Sequence, residues 1–234
     1  MSANSDTNPG EMVVTNPPFS LFREYIAQLM EYNKKFIVIG NLNAVKYKEL
    51  FPYMKEDKLW LGATMFNGGA AYFVGKKDLF DPEKISNAKH AYIKDDKLYW
   101  RVNGVRWFTN VEHKKRNTPI DLYKKYSNEY PHYNNMDVIE VGKCENIPMD
   151  YDGIMGVPIS FFDKYCPEQF EIIGCAAANV LPEGWKGMSQ EFVDLYYKQG
   201  NTGQYQAGNR LENYVWNGKA VTPYARILIR KRNA

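Results

Sequence analysis

The residues with the clearest chemical potential are Asn16-Pro17-Pro18-Phe19, which directly follow the apolar run Met12-Val13-Val14. Two consecutive prolines cannot continue a strand, because neither has an N–H to donate and each fixes φ. The strand must end here, so Asn16 lies at its carboxyl end, where ligands bind in open α/β sheets. The turn offers an amide oxygen, a rigid carbonyl and a flat ring, which suit a planar base carrying an exocyclic amine. The same residues also fit a structural turn in which Phe19 packs in the core.

Basic side chains are concentrated after the first hundred residues of the chain. The clusters are Lys114-Lys115-Arg116, Lys124-Lys125 and Arg226…Arg230-Lys231-Arg232. Such clusters neutralise phosphates, and the candidate contacts to nucleic acid are Lys114, Lys115, Arg116 and Arg230. Each run is also compatible with an ordinary solvated surface. The abundance of tyrosine suits stacking on unpaired bases and suits a normal core equally well.

The composition argues against several other classes of protein. The three cysteines show no C-x-x-C spacing and the three histidines no H-E-x-x-H spacing, which favours structural thiols and disfavours a metal enzyme. A charged fraction of 24% and a net charge of +3 are typical of a soluble globular protein. No apolar run is long enough to span a membrane, and residues 1–10 lack the layout of a signal peptide. We therefore expect a cytoplasmic protein.

The turn is positioned by a strand–helix–strand–helix order in the first part of the chain. Apolar residues recur at helical spacing after Ser20, which is the expected N-cap of a helix that runs to about Tyr32. Residues 35–40 form an apolar run closed by glycine, which is typical of a strand buried on both faces in a parallel sheet. A weaker helix is expected over residues 44–55. This order predicts βαβ units.

From residue 59 onward the pattern changes to short strands. Asn103-Gly104 separates two apolar runs, which is a strong hairpin signal, so we expect the sheet to end in antiparallel strands. The later part of the chain mixes both element types. Strands are predicted over residues 137–141, 170–174 and 225–229, a helix over residues 189–198, and a hairpin at residues 216–219.

Several of these segments resemble one family. Residues 14–25 are similar to the catalytic-motif region of the EcoRI-methylase-like adenine-specific DNA methyltransferases. Further similar segments follow in the family's order, at residues 106–111, 150–158, 169–174 and 224–230. The resemblance implies an α/β fold: a partial Rossmann-like methyltransferase sheet, then a mixed α+β region like a target-recognition domain. The implied organisation is a polar leader at residues 1–10, a truncated catalytic half at 11–112 and a target-recognition-like region at 113–234.

The resemblance also implies an activity and its residues. Members of the family transfer a methyl group from S-adenosylmethionine to N6 of adenine in double-stranded DNA, as part of restriction–modification. Carried over by motif, the catalytic residues are Asn16, Pro17, Pro18 and Phe19. The Asn16 side chain and the Pro17 carbonyl would accept hydrogen bonds from the amine, and Phe19 would stack on an adenine flipped out of the duplex.

The chain departs from the family at the cofactor site. Members carry a glycine-rich strand–turn segment before the catalytic motif, whereas here only fifteen residues precede Asn16, and no G-x-G turn occurs elsewhere. We therefore expect an incomplete S-adenosylmethionine pocket. We also expect residues 12–15 to form an exposed edge strand, covered by a second copy of the chain or by a separate cofactor-binding subunit.

Three functions fit these residues. The first is an N6-adenine DNA methyltransferase, whether a truncated gene product, one half of a split enzyme or a piece of a longer one. The second is a non-catalytic DNA-binding or interaction protein derived from the same fold, such as a regulator or a counter-defence factor. The third is amino methylation of an RNA base or a protein glutamine, and the resemblance of the target-recognition region to a DNA enzyme speaks against it.

Overall fold

The elements that position the Asn16 turn come first along the chain. The computed structural model describes residues 11–64, 70–76 and 91–232, so the predicted leader at residues 1–10 lies outside the described residues. The strands are β1 (Met12–Thr15), β2 (Lys35–Asn41), β3 (Trp60–Leu61), β4 (Ala70–Lys76), β5 (Ala91–Lys94), β6 (Lys97–Val102), β7 (Val105–Thr109), β8 (Val138–Glu140), β9 (Ile154–Pro158), β10 (Phe170–Gly174), β11 (Tyr214–Trp216), β12 (Lys219–Val221) and β13 (Arg226–Lys231). The α-helices are α1 (Phe22–Glu31), α2 (Phe51–Lys55) and α3 (Gln190–Lys198).

The first sheet contains the strand that precedes the turn. Strands β1 and β2 are parallel neighbours, with Val13 opposite Phe36. Strand β7 then pairs antiparallel with both β2 and β3, which gives the order β1-β2-β7-β3. Helix α1 connects the two parallel strands, as a crossover must. The predicted strand–helix–strand unit and the antiparallel end of the sheet are confirmed.

Helix α1 starts after a turn that the sequence pattern does not reveal. The Leu21 N–H donates to the Pro18 carbonyl at 3.0 Å and closes a 3-10 turn over Phe19–Leu21. Ser20 lies inside this turn, and the N-cap of α1 is Leu21, without a side-chain hydrogen bond. The prediction of Ser20 as the N-cap is therefore wrong, because the rigid prolines start the turn early. The apolar face is as predicted, with Phe22, Ile26 and Leu29 buried.

Strand β2 buries one face more fully than the other. Phe36 and Val38 are fully buried in the cluster that includes the apolar face of α1, whereas Ile37 and Ile39 are only half-buried. The expectation that both faces are buried is wrong, because the described residues cover the second face only in part. At Gly40 a Cβ would overlap the Phe22 ring, so the glycine lets α1 pack closely on the strand.

The helix predicted over residues 44–55 is divided in two. The chain forms a 3-10 helix over Leu42–Lys46, and α2 begins only at Phe51. Pro52 lies in the first turn of α2, where a missing N–H does no harm, but it cannot lie in the middle of a longer helix. The predicted inner face survives in part, with Leu50, Phe51 and Met54 buried.

The Asn103-Gly104 turn joins two sheets instead of closing a hairpin. Strand β6 pairs with β4 and β5 in a separate three-stranded sheet, whereas β7 belongs to the first sheet. The hairpin prediction is wrong because both edges of β7 are taken, by β2 and β3. Gly104 adopts φ +76° and its carbonyl accepts from the Leu42 N–H, which holds the turn against the end of β2.

The later part of the chain forms a second sheet with the order β10-β13-β9-β8. The predicted strands, the helix α3 with Ser189 as its N-cap, and the β11–β12 hairpin through Asn217-Gly218 are all confirmed. A single apolar cluster contains Phe36 and Phe108 of the first sheet together with Val157 and Ile229 of the second. The architecture is mixed α/β with several small sheets, and the division at residue 112 stays a prediction.

Helices are few and short in the part of the chain that the structure describes. None of them is long and apolar enough to cross a bilayer.

Candidate active site

The Asn16 turn is open to solvent at the carboxyl end of β1. Asn16 follows the last residue of the strand, and Pro18 takes φ −54° and ψ 129° before the 3-10 turn begins. The Asn16 side chain is exposed and makes no hydrogen bond with the described residues. The Phe19 ring is 48% exposed and does not pack in the core. The turn therefore presents its amide and its ring outward, although a structural turn residue would use them internally.

The carboxyl end of β2 lies at the same edge, because the two strands are parallel. Asn41 ends β2 and its Oδ1 accepts from the Asn43 N–H at 2.9 Å, which starts the 3-10 helix that follows. The Asn103-Gly104 turn also reaches this edge, since Val105 is opposite Asn41. Three chain reversals therefore surround one end of the first sheet.

A tyrosine from the far end of the chain joins this edge. The Tyr224 hydroxyl donates to Asn43 Oδ1 at 2.6 Å and accepts from Lys46 Nζ at 2.6 Å. The Lys46 ammonium also lies 4.1 Å from the centre of the Tyr224 ring. On the first turn of α1, the Arg23 guanidinium lies 4.2 Å from the centre of the Tyr47 ring. Two cations and two exposed or half-buried aromatic rings thus flank the carboxyl ends of β1 and β2.

One of the predicted phosphate contacts, Arg116, is buried and paired within the protein. Its side chain is 9% exposed and forms ion pairs with Asp57 and Glu112. Its guanidinium lies 3.9 Å from the centre of the Trp60 ring. Burial alone would lower the pKa of Arg116, but the ion pairs with Asp57 and Glu112 outweigh it and raise that pKa. Arg116 is therefore a structural cation, and the phosphate-binding prediction is carried forward without it.

The other three basic candidates differ in how accessible they are. Lys114 is exposed at the start of a 3-10 helix over Lys114–Asn117. Lys115 is half-buried, and burial lowers its pKa despite the nearby Asp163 carboxylate. Arg230 is exposed on β13 and pairs with Glu171 at 2.5 Å. Lys114 is thus the candidate best placed to meet a phosphate.

Metal and thiol chemistry find little support in the described residues. They contain no group of three or more His, Cys, Asp or Glu side chains that could hold a metal ion. Cys144, Cys166 and Cys175 are buried free thiols. Burial raises the pKa of Cys175 to about 11, so this thiol is protonated and unreactive near neutral pH.

Comparison with known proteins identifies the family. A profile described as adenine-specific methyltransferase EcoRI matches residues 7–232. The Type II methyltransferase M.EcoRI of Escherichia coli is 43% identical over 168 residues, which cover 70% of this chain and 49% of that protein. M.MgeORF184P of Mycoplasma genitalium is 40% identical over 71% of this chain and 52% of its own length. M.MpnI of Mycoplasma pneumoniae is 38% identical over the same shares. No solved structure matches the chain significantly.

The chain belongs to the EcoRI family of adenine-specific methyltransferases. The resemblance seen in the motifs is thereby confirmed, and the matched span includes the Asn16 turn and every basic candidate. The chain spans about half the length of the curated relatives it matches.

Among the described residues, two glycines at the ends of strands, Gly40 and Gly174, are each closed by a packed neighbour. Gly40, at the end of β2, packs against the Phe22 ring and leaves no cradle for a nucleoside. Gly174, the last residue of β10, is closed by the Val180 carbonyl, which a Cβ would overlap. Neither of these two glycines can therefore cradle a nucleoside. On the side of β1 away from β2, no described strand is paired with it.

Sequence reasoning missed the side-chain contacts made after β2 at this edge of the first sheet. Tyr224 lies 181 residues from its partner Asn43, and no spacing rule connects them. The pairing of Arg23 with Tyr47 joins the start of α1 to the residue after the Leu42–Lys46 helix, which only the fold brings together. An indirect signal existed, because residues 224–230 belong to the segments that resemble the family.

Proposed function

We propose that this chain carries the amine-binding part of an N6-adenine DNA methyltransferase that uses S-adenosylmethionine. One observation carries the proposal: in a member of the EcoRI family, Asn16-Pro17-Pro18-Phe19 stands at the carboxyl edge of the sheet with its amide and ring exposed. We further propose that the first sheet is part of a Rossmann-like methyltransferase sheet. The parallel β1–β2 pair, followed by the antiparallel β7, supports this proposal.

The chemistry of the turn follows from its acceptors. Asn16 Oδ1 and the Pro17 carbonyl accept the two hydrogens of the exocyclic amine, which draws the nitrogen lone pair out of conjugation with the ring. The lone pair then points away from the ring plane and can attack an electrophilic methyl group in line. The attacking amine is neutral and becomes acidic only after it gains the methyl group. No general base is needed before transfer.

Phe19 provides the flat surface on which the adenine rests. An adenine inside a duplex cannot reach the turn, so it must be flipped out and lose its stacking in the helix. A half-exposed ring next to the amide replaces part of that stacking, at about 1–3 kcal/mol per stacked base. The cations Arg23 and Lys46 at the same edge suit the phosphates that flank the flipped nucleotide.

The donor side of the reaction must come from beyond the described residues. S-adenosylmethionine supplies the electrophilic methyl group, and two glycines at strand ends, Gly40 and Gly174, are closed by the Phe22 ring and the Val180 carbonyl. We propose that a second copy of the chain or a separate cofactor-binding subunit adds to the open edge of β1. Met12 is 46% exposed and Val14 is 63% exposed. Exposed apolar side chains on an edge strand support the proposal that another chain covers this edge in the active enzyme.

The second candidate is a function that requires no methyl donor. A non-catalytic DNA-binding protein of this family would keep the DNA-contacting groups without needing S-adenosylmethionine. It would bind duplex DNA and never modify it.

Product analysis separates the two functions. The chain, supplied with the unmatched part of the Escherichia coli relative, is incubated with unmethylated genomic DNA and S-adenosylmethionine. The DNA is then digested to nucleosides for mass spectrometry. The proposal expects N6-methyldeoxyadenosine and no methylated cytosine. Duplex binding without any methylated nucleoside would favour the non-catalytic function, and methylcytosine as the product would overturn the adenine assignment.

A further inference from the structure

The second half of the chain contains an open cavity of about 470 Å³, away from the Asn16 turn. Its lining comes from the loop before β8, from the end of β8 and the segment after it, from the β11 hairpin and from the start of β13. The side chains that matter to its chemistry are Lys124, Lys125, Tyr130, Tyr214, Trp216 and Arg226. This volume falls in the range of sites that take one small organic molecule, about 300–1,000 Å³.

One wall of the cavity is a buried charged group that is already neutralised. Arg226 Nε and Nη2 donate to Glu140 Oε1 at 2.8 and 2.6 Å, and Arg226 Nη1 donates to the Tyr224 carbonyl. The Tyr133 hydroxyl donates to the other Glu140 oxygen at 2.6 Å. Every strong donor of this group has a partner, so the wall is polar and rigid but carries no net charge.

The aromatic walls are held in fixed orientations. The Tyr214 ring is stacked on Tyr133 with a centroid distance of 6.0 Å and an interplanar angle of 3°. The Tyr130 hydroxyl donates to the Asn146 carbonyl at 2.8 Å, which anchors that ring at its polar end. Trp216 is half-buried at the end of β11, where the hairpin holds its backbone. Rings that are already ordered lose little entropy when a flat ligand stacks on them.

The rim of the cavity carries a net positive charge, because Lys124 and Lys125 face the single exposed carboxylate of Glu129. Lys124 and Lys125 are both exposed, and neither forms an ion pair with a described residue. A lysine is a flexible point charge suited to a phosphate. A simple anion would need only these lysines, and an apolar ligand would not suit a polar wall. Flat walls together with a cationic rim fit a ligand that has both a planar ring and a phosphate.

We propose that this cavity binds one unstacked nucleotide of the DNA, with its base against the aromatic walls and its phosphate at Lys124 and Lys125. The inference rests on the proposed DNA substrate but concerns a different site, because none of its lining belongs to the first sheet. Residues 224–226 connect the two sites: Arg226 lines the cavity, and Tyr224 contacts the carboxyl end of β2. The nucleotide bound here is therefore a neighbour of the target, not the target itself.

Oligonucleotide binding tests this site without methyl transfer. Labelled hexathymidylate and an abasic oligomer of the same length are titrated with the full chain, and fluorescence anisotropy is followed. Thymine has no exocyclic amine for the Asn16 turn but can still stack on Phe19, so the Trp216 variants decide whether base-dependent binding belongs to the cavity. We expect the wild type to prefer the base-containing oligomer about tenfold. Trp216→Ala should lose this preference, and Trp216→Phe should keep most of it.

Matched variants complete the test. Trp100 is exposed on β6, outside the cavity, and Trp100→Ala should leave the preference intact. Replacing Lys124 and Lys125 by glutamine should weaken both oligomers alike, whereas the same change at exposed Lys48 and Lys198 should weaken them less. Equal binding of the two oligomers by the wild type, or an equal loss in Trp100→Ala and Trp216→Ala, would overturn the proposal. A preference that persists while the chain, supplied with the unmatched part of the Escherichia coli relative, never methylates DNA would overturn the proposed function alone.

Discussion

At the scale of single residues, the Asn16 side chain has no evident structural role among the described residues. Its amide is exposed and makes no hydrogen bond with the described residues, and the prolines that follow already end the strand. Asparagine at a turn usually hydrogen-bonds its own backbone. An amide held ready by a rigid backbone but not used by the fold is what an amine-binding residue requires.

This distinction predicts a small effect of Asn16→Ala on stability. We expect the free energy of unfolding to change by no more than about 0.5 kcal/mol, as for most surface substitutions. Urea unfolding measures it, with Gln28→Ala, an exposed amide on α1, as the matched control. A loss of about 1 kcal/mol or more, as when a helix cap is removed, would support a structural turn residue instead.

Neighbouring basic residues should separate into structural and DNA-binding roles. Arg116→Ala leaves the Asp57 carboxylate without its buried partner and uncovers the Trp60 ring, so we expect a loss of about 1–3 kcal/mol of unfolding free energy. Lys114→Ala should leave stability unchanged. It should weaken binding to duplex DNA and make the affinity depend less steeply on salt, since one phosphate contact is lost. A loss of stability in Lys114→Ala, together with weaker DNA binding but unchanged stability in Arg116→Ala, would contradict this assignment.

A buried carboxyl group gives the stability a pH dependence of known sign. Glu212 is 2% exposed, and burial raises its pKa despite the hydrogen bonds to its carboxylate. Its contribution to stability is complete below the ordinary pKa, about 4.3 in an unfolded chain, and is lost as pH rises through the folded pKa. Thermal melts should show that the melting temperature of Glu212→Gln rises relative to that of the wild type as the pH increases through that window. A difference that stays constant with pH would contradict this.

At the scale of elements, the sequence predicts well where local chemistry decides. The consecutive prolines end β1, the apolar spacing marks α1, and Asn217-Gly218 closes a true hairpin. Prediction from the sequence fails where strands from elsewhere in the chain decide the pairing. Asn103-Gly104 has the same turn chemistry, but β7 is taken by β2 and β3, so the turn joins two sheets. The contact of Tyr224 with Asn43 after β2 could not be predicted either, since only the fold of the whole chain brings these two residues together.

The open edge of β1 predicts an association. An edge strand with exposed Met12 and Val14 pairs readily with another chain. We expect a second copy, or the unmatched part of the Escherichia coli relative supplied as a separate polypeptide, to bind there. Sedimentation velocity over a concentration series measures both, and Val14→Lys should weaken the association without unfolding the chain. A chain that stays monomeric and binds no such polypeptide would show that this edge is left open.

At the scale of the whole molecule, the proposed amine-binding edge and the proposed nucleotide cavity lie on different sheets of one structure. Residues 224–226 contact both, so the second half of the chain can position DNA while the first half holds the target base. A single apolar cluster connects the two sheets, which fixes the two sites relative to each other.

Methyl transfer by an Asn16 variant tests the central claim most directly. Residues 12–232 replace the matching part of the Escherichia coli relative, and transfer of tritiated methyl groups from S-adenosylmethionine to adenine in DNA is measured. We expect the parent chimera and its Gln28→Ala control to be active. Asn16→Ala should lose about 100-fold or more in rate, as when one aligned hydrogen-bonding group is removed from an active site, with duplex affinity unchanged. An Asn16→Ala chimera that methylates adenine at the parent's rate would contradict the account.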